Sequence, residues 1–280
     1  MTQDSKYWIY GKHTAISAIK NTERTSHRLV LTENNIHFLA SSGIDINKLK
    51  YPYKILSSKE ISALISKENA THQGIALEVT KLDEPNLIEV ILKESNVSQK
   101  KSTEVCSSEK SSERNDLKQL EQKSSREILL ILDQITDPHN IGAIIRSAAV
   151  FGVKAIIKTK DNFPSENATI LKSACGAFEA MPCVTVTNLT ESIKILKKYN
   201  YWIVGMSLNT ELELNSKNNL LSQYDKIALV LGAEDTGIRK LVEQNCDLLA
   251  KISMMYNEEF VESLNVSNAA AIALYMLRNY

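Results

Sequence analysis

Glycine is scarce in this chain, and neither of the common glycine-rich phosphate-binding loops occurs in it. The 280 residues include nine glycines and five prolines, and no segment matches G-x-G-x-x-G or G-x-x-x-x-G-K-[ST]. Those motifs surround the phosphates of dinucleotides and nucleoside triphosphates with backbone N–H groups. Their absence removes the main sequence support for an ordinary Rossmann or P-loop protein.

Cysteines and long apolar runs are also few. Cys106, Cys175, Cys183 and Cys246 form no Cys-x-x-Cys pair and are too sparse for a disulfide scaffold, so we predict reduced thiols. No run of about 18 apolar residues occurs, and the first ten residues carry charges where a secretion signal would be apolar. The sequence therefore predicts a cytoplasmic protein without a membrane span.

The chain has no excess charge of either sign. Its 33 basic side chains balance 33 acidic ones, which excludes a histone-like polybasic protein. The balance nevertheless hides unequal segments. Residues 1–85 carry 11 basic and 9 acidic groups and four of the five histidines, whereas residues 127–280 carry 14 and 17. The first segment is therefore mildly suited to binding a polyanion.

A polar stretch divides the chain. Residues 95–126 contain nine serines, twelve charged residues and no aromatic residue, glycine or proline. Such a segment buries too little apolar surface to offset the entropy of ordering it, so we predict a flexible linker that lets the first domain search a larger radius. The alternative is a solvated helix over residues 114–123. The predicted organisation is a domain over 1–94, the linker 95–126 and a second domain over 127–280.

Both domains alternate strand-like and helix-like periodicity, which is typical of α/β folds. In the first domain the patterns predict strands over 27–33, 53–57 and 74–82, and helices over 13–21, 36–42 and from the N-cap Ser58. In the second domain apolar runs predict strands over 128–135, 153–159, 183–188, 201–208, 226–234 and 248–254. Helical patterns cover 141–152, 168–180, 189–200, 237–246 and 265–280. In the second domain, the alternation of near-continuous apolar strands with helices predicts a parallel sheet covered on both faces.

Three polar segments follow strands of that sheet, where the ligands of parallel sheets bind. They contain, in order, Asn140 with Arg146, Gly232 with Glu234, and Ser263 with Asn265. Gly142, in the first segment, allows close approach of another backbone. Each segment also has a purely structural explanation: a surface arginine lying over alanines, a strand-to-helix turn, and a helix N-cap.

Taken in order, DPHNIGAIIRSAA, LVLGAEDTGIRKLVEQNCD and SLNVSNAAAIALY resemble the three motifs of the SPOUT-type RNA 2′-O-methyltransferases of the tRNA/rRNA methyltransferase H family. The bacterial 23S rRNA guanosine 2′-O-methyltransferases are the most similar branch. The resemblance implies an α/β fold with a parallel sheet whose C-terminal part forms a deep trefoil knot. It also implies a small N-terminal α/β ribosomal-protein-like RNA-binding domain, reached through YGKHTAISAI and HQGIALEV.

The resemblance further implies a cofactor, a substrate and an assembly. S-adenosylmethionine would bind in the knot without a metal, and two copies would associate through the catalytic domain. The substrate would be an RNA ribose 2′-hydroxyl, and the most similar branch of the family implies a guanosine in 23S rRNA. The residues carried over as cofactor-binding are Gly232, Ile252, Met254 and Leu264. Those carried over as catalytic are Asn140, Arg146, Glu234, Ser263 and Asn265.

Arg146 is the central residue of this set. Because a guanidinium keeps its proton at ordinary pH, we expect Arg146 to orient the hydroxyl and stabilise negative charge rather than act as a base, with Glu234 as its counter-ion. The sequence departs from the family pattern at Asp235, at Ser253 and in the acidic loop 255–262. Three alternatives stay open: the same chemistry on tRNA, a non-catalytic RNA-binding protein of this fold, and an unknotted flavodoxin-like protein.

Overall fold

The computed structural model describes residues 6–65, 71–93, 126–161, 163–164, 166–214, 221–254 and 263–279. Within these ranges the chain forms two sheets, one in each predicted domain. The predicted linker, apart from Arg126, the alternative helix 114–123 and the acidic loop 255–262 lie outside the described residues. Those three predictions are therefore untested.

The first sheet has four strands in the order β1-β4-β2-β3. The strands are β1 (Tyr7–Tyr10), β2 (Ser26–Leu31), β3 (Tyr53–Ile55) and β4 (Ile75–Val79). The helices are α1 (Lys12–Lys20), α2 (Asn34–Ser41) and α3 (Ser58–Leu64). β4 runs antiparallel to both of its neighbours, and β2 pairs with β3 in parallel. The four residues of β1 are too few to show a periodicity, and the sequence did not predict this strand.

The cap of α3 differs from the prediction by one residue. Ser57, not Ser58, is the N-cap, because the Ser57 hydroxyl accepts from the backbone N–H of Glu60 and the Glu60 carboxylate accepts in return from the Ser57 N–H. This reciprocal pair is a capping box. The predicted cap therefore occupies the first helical position.

The second sheet has six strands, all parallel, in the order β10-β8-β9-β5-β6-β7. The strands are β5 (Glu127–Leu132), β6 (Ala155–Thr159), β7 (Cys183–Val186), β8 (Trp202–Met206), β9 (Lys226–Leu231) and β10 (Leu248–Ala250). The further helices are α4 (Leu87–Leu92), α5 (Pro138–Val150), α6 (Ala168–Ser173), α7 (Leu189–Lys198), α8 (Lys240–Glu243) and α9 (Val266–Asn279). The predicted parallel sheet is confirmed. None of the described helices is both long enough and apolar enough to cross a membrane.

Several elements of the second domain are shorter than predicted. The strands expected over 226–234 and 248–254 end at Leu231 and Ala250. The helix expected over 168–180 breaks after Ser173, because Cys175 and Gly176 have φ of +50° and +86°, and a short 3₁₀ helix Ala177–Ala180 follows. The helix expected from Gly237 begins only at Lys240, because Gly237 has a φ of +67°.

The two domains pack on each other through a shared apolar core. One cluster of buried side chains includes Ile9 and Leu77 of the first sheet together with Ile128 and Ile141 of the second domain. The unpredicted helix α4 belongs by sequence to residues 1–94, yet its buried side chains pack with those of β5 and β6. The freely moving first domain expected from the linker is therefore wrong. The division at residues 94 and 126 itself stays a prediction.

Gly142 lies where α5 packs against α6. A Cβ at Gly142 would be 2.3 Å from Ser173 Cβ and 2.7 Å from the carbonyl oxygen of Ile170. The close approach of another backbone that the sequence predicted for Gly142 is thus confirmed. This contact fixes how near α6 comes to the helix that carries Arg146.

Substituting Gly142 by alanine should destabilise the protein. Alanine is favoured over glycine inside a helix by about 1 kcal/mol, but the added methyl would push α5 and α6 apart, and overpacking costs about 1–3 kcal/mol. The difference is a net loss of about 1 kcal/mol, which we expect to measure by urea unfolding followed by circular dichroism. Ser147→Ala on the same helix is the control and should leave the midpoint unchanged. A midpoint for Gly142→Ala at or above that of wild type would contradict this packing.

Candidate active site

The three polar segments predicted as a site meet beyond the carboxyl ends of the second sheet. The side-chain amide of Asn265 donates to Asn140 Oδ1 at 3.0 Å and also to the carboxylate of Glu234. The same carboxylate oxygen accepts from the backbone N–H of Val266 at 3.0 Å. One hydrogen-bond network therefore joins a residue from each segment, although the three are far apart in sequence.

Asn265 has a structural role as well as a place in the network. It precedes the first residue of α9, and its Oδ1 accepts from the backbone N–H of Ser267 at 3.0 Å and from the Ser267 hydroxyl at 2.5 Å. This is N-cap geometry, so the simpler explanation offered by the sequence holds too. The cap places the carboxylate of Glu234 at the positive end of a 14-residue helix, where a negative charge is stabilised.

A tight turn directs Glu234 into the network. Ala233 and Gly237 exchange backbone hydrogen bonds of 3.1 Å and 2.9 Å, so the chain folds back on itself directly after β9. A Cβ at Gly232 would be 2.1 Å from the carbonyl carbon of Gly237 and 2.3 Å from the nitrogen of Ile238. Position 232 therefore requires glycine, because any side chain there would collide with the returning backbone.

An ion pair between a buried aspartate and a half-exposed arginine fixes the far end of this turn. Asp133, fully buried after β5, accepts from the Arg239 backbone N–H at 2.8 Å and from Arg239 Nε at 2.7 Å. Neither residue was predicted as part of the site. The available signal was the position of Asp133 inside the apolar run ILLILDQI, because a carboxylate in a buried strand requires a partner.

Two cavities adjoin the network. The larger has a volume of about 600 Å³, within the range of small-molecule and cofactor sites. It is lined by all four residues predicted to bind a cofactor and by two of those predicted as catalytic: Gly232, Ile252, Met254, Leu264, Glu234 and Ser263. The smaller cavity, of about 510 Å³, is lined by Asn140 and Glu234 among others. Glu234 therefore borders both.

Arg146 lies apart from this network. It is exposed on α5, not quite two helical turns beyond Asn140, and is not among the described residues lining either cavity. Its Nη1 is 3.5 Å from Cys175 Sγ, and it forms no ion pair with any described residue. The predicted pairing with Glu234 is therefore wrong, because that carboxylate accepts its hydrogen bonds from Asn265 and Val266. The guanidinium is left accessible to a ligand.

The last residue of α6 and the turn that follows it contact α5. Ser173 Oγ lies 3.3 Å from His139 Nδ1, and Cys175 contacts Arg146 as described. The sequence singled out neither Ser173 nor Cys175 as a site residue. Among the described residues, no group of three or more His, Cys, Asp or Glu side chains is placed to hold a metal ion.

Comparison with known families assigns both parts of the chain. The family model described as "SpoU rRNA Methylase family" matches residues 127–275, which is more than half of the chain. The chain belongs to the SpoU rRNA methylase family. A second family model, "RNA 2'-O ribose methyltransferase substrate binding", matches residues 8–85, which span the first sheet. The resemblance identified from the three motifs is thereby confirmed.

Two relatives show how similar the chain is to known proteins. The 23S rRNA (guanosine-2'-O-)-methyltransferase RlmB of Coxiella burnetii is 34% identical over 274 residues, covering 95% of this chain and 93% of that protein. The protein of the same name from Neisseria meningitidis is 44% identical over 155 residues, covering 55% and 59%. The first alignment includes both domains, whereas the second covers only part of each protein.

Solved SpoU structures share this fold. The SpoU methyltransferase AviRb from Streptomyces viridochromogenes, in complex with the cofactor AdoMet, superposes with a TM-score of 0.68 at 15% identity, covering 98% of this chain and 89% of that one. At this identity the match establishes the fold alone. The α/β fold with a parallel sheet and an N-terminal substrate-binding domain, as predicted, is confirmed.

The described cysteines of the SpoU domain should differ sharply in reactivity. Burial raises the pKa of Cys183 to about 12, and burial likewise raises that of Cys246 to about 12, whereas Cys175 is exposed. Because the thiolate is the reactive form, iodoacetamide at pH 8 should modify Cys175 well before the other two, as measured by peptide mass spectrometry. In about 6 M urea the three rates should converge. Equal labelling of Cys183 and Cys175 in the native protein would contradict the structure.

Proposed function

We propose that this protein transfers the methyl group of S-adenosylmethionine to the ribose 2′-hydroxyl of a guanosine in 23S rRNA. The proposal is carried by the network of Asn140, Glu234 and Asn265 beside a cofactor-sized cavity, in a chain that matches both SpoU family models. The C. burnetii relative named for this reaction aligns with 95% of the chain. The proposed reaction therefore explains both the site and the substrate-binding domain.

The larger cavity is suited to S-adenosylmethionine. Ile252, Met254 and Leu264 offer apolar surface for an adenine ring, and Gly232 leaves backbone groups uncovered beside them. The cofactor supplies a methyl group on a positively charged sulfur, which needs no metal to become reactive. Glu234 and Ser263 line the same cavity. We expect the carboxylate of Glu234 and the hydroxyl of Ser263 to orient the cofactor through its positively charged sulfur.

Arg146 is assigned to the RNA. Its guanidinium is exposed and lacks an ion-pair partner among the described residues, so it can bind the phosphate and 2′-oxygen of the target nucleotide. Catalysis then comes from alignment of the hydroxyl with the methyl group and from stabilisation of the charge that develops on oxygen. Asn140, on the same helix, links this face to the cofactor cavity through Asn265.

We also propose that the chain is knotted around the cofactor. Residues that follow β8 pair with residues that follow β10: the Lys251 N–H donates to the Leu212 carbonyl at 2.9 Å, and the Leu214 N–H donates to the Lys251 carbonyl at 2.7 Å. Further along the chain, α9 packs on α5. This pairing and packing support the deep trefoil knot that the SPOUT resemblance implies.

The proposed assembly is a homodimer through the catalytic domain, acting in the cytoplasm where ribosomal RNA is made. Apolar side chains support the choice of surface. Val150 at the end of α5 is 75% exposed and Tyr275 on α9 is 59% exposed, and the Tyr275 ring meets Phe151 edge-on at 6.3 Å. Exposed apolar side chains on two packed helices are typical of a protein interface.

The reaction is tested with unmodified 23S rRNA and methyl-labelled S-adenosylmethionine. We expect label in 2′-O-methylguanosine after digestion, and an Arg146→Ala rate about a hundredfold or more below wild type with cofactor affinity within about twofold, because charge stabilisation of this kind contributes such factors. Lys194→Ala on α7 is the control and should be fully active.

Each alternative predicts a different result in that assay, in the same assay with tRNA, or in calorimetry. Label in tRNA instead of rRNA would overturn the proposal that 23S rRNA is the substrate. No cofactor binding in calorimetry would support a non-catalytic RNA-binding protein. A folded Arg146→Ala variant with full activity would remove Arg146 from the reaction.

The dimer is tested by placing a charge on its proposed surface. Tyr275→Glu should raise the dimer dissociation constant about tenfold or more in sedimentation equilibrium, because a buried aromatic anchor commonly contributes that much. Leu92→Glu, on α4, substitutes a side chain that is 63% exposed and is the matched control. A wild-type protein that sediments as a monomer would overturn the assembly.

A further inference from the structure

Arg24 of the first domain is buried against two glutamates of the second. Its side chain is 0% exposed and forms ion pairs of 2.7 Å with Glu166 and 2.6 Å with Glu179, whose side chains are 9% and 4% exposed. Nε donates to the second oxygen of Glu179 at 3.1 Å, and Nη1 donates to the carbonyl of Thr80 at 2.8 Å. One guanidinium thus binds both domains through several charge-assisted hydrogen bonds.

The two glutamates stabilise the charge of Arg24. Burial lowers the pKa of Arg24, but its hydrogen bond with Glu179 and the charge of Glu166 outweigh that effect, so the pKa is raised overall and the guanidinium stays protonated. Burial and the charge of Glu166 raise the pKa of Tyr7, whose hydroxyl donates to Glu166. Asn21 adds a hydrogen bond of 2.8 Å to Glu179.

Glu166 and Glu179 stand at the two ends of a single segment of the second domain. Residues 166–179 contain α6 and the turn after it, and Asn167 caps α6 by accepting from the N–H groups of Thr169 and Ile170 at 3.0 Å and 3.1 Å. By holding both glutamates, Arg24 fixes the start and the end of this segment at once. A residue of the first domain therefore joins the two ends of the segment 166–179.

The middle of the segment is the part that supports α5. Cys175 contacts the guanidinium of Arg146 and Ser173 contacts His139, as described above. On its other side the segment meets α1, since a Cβ at Gly176 would be 2.1 Å from Ser17 Oγ and 3.1 Å from the carbonyl oxygen of His13. The segment thus lies between the substrate-binding domain and the helix of Arg146, with no room to shift towards α1.

We propose that Arg24 is a positioning residue for Arg146, acting through the segment 166–179. By clamping both ends of the segment, Arg24 sets the place of the turn on which the Arg146 guanidinium rests. The docked substrate-binding domain is thereby part of the catalytic geometry. This inference rests on the methyl transfer proposed above.

The test is Arg24→Met, which replaces the guanidinium with a shorter, uncharged side chain. We expect kcat for rRNA to fall between about tenfold and a hundredfold, because small misplacements of catalytic groups cost factors of this size. The dissociation constant for S-adenosylmethionine should stay within about twofold of wild type. Hydrogen exchange should become faster in 166–179 and stay unchanged in β5. Arg24→Lys should recover part of kcat.

Arg28→Met is the matched control. Arg28 is an arginine of the same domain, but its ion pair of 3.5 Å with Glu78 stays within that domain and is partly exposed. Its removal should leave kcat and the exchange of 166–179 unchanged. If Arg24→Met does not fold, Glu179→Gln releases one end of the segment while Arg24 keeps Glu166, and the same measurements apply.

The outcomes separate this inference from the function on which it rests. Faster exchange of 166–179 with unchanged kcat would make Arg24 a structural residue only and overturn the proposal. Unchanged exchange in a folded variant would overturn the clamp itself. A wild-type protein without methyl transfer would instead overturn the proposed function, and the exchange experiment would still report whether Arg24 holds the segment.

Discussion

The hydrogen bonds that Glu234 accepts at the start of α9 are the interaction on which the site depends. A single carboxylate oxygen bonds Asn265 and the backbone of Val266, and Asn265 extends the link to Asn140. Without them the three segments would share only an edge of the sheet. The positive end of α9 stabilises the charge of Glu234, so a helix that lines the larger cavity also holds the acid on the cavity wall.

The sequence predicted the parts of the site whose signal is local. A strand followed by polar residues can be recognised along the chain, and the structure brings Asn140, Glu234 and Asn265 into one network as that pattern suggested. The strand expected over 248–254 was too long for a physical reason. Ile252 and Met254 are apolar because they line a cavity, and composition cannot distinguish that role from burial in a sheet.

The ion pairs could not be predicted in the same way. Asp133 with Arg239, and Arg24 with Glu166 and Glu179, join residues far apart in the sequence, so no local periodicity relates the partners. Charge alone indicates that a buried residue needs a partner but does not say which one. The expected pairing of Arg146 with Glu234 failed for this reason: both groups were identified, but the competing donors at α9 were not.

The position of helix α4 shows which parts of the structure lie on either side of the predicted linker 95–126. Leu87, Val90 and Ile91 pack with the core of the second sheet, and the Lys154 ammonium donates to the Ile91 carbonyl at 3.1 Å. The chain therefore packs on the second sheet before residue 94 and enters that sheet at β5. The described residues on both sides of the stretch thus contact the same sheet. Because closing a loop costs little more as the loop lengthens, its length can vary between relatives without altering how the RNA-binding and catalytic parts are aligned.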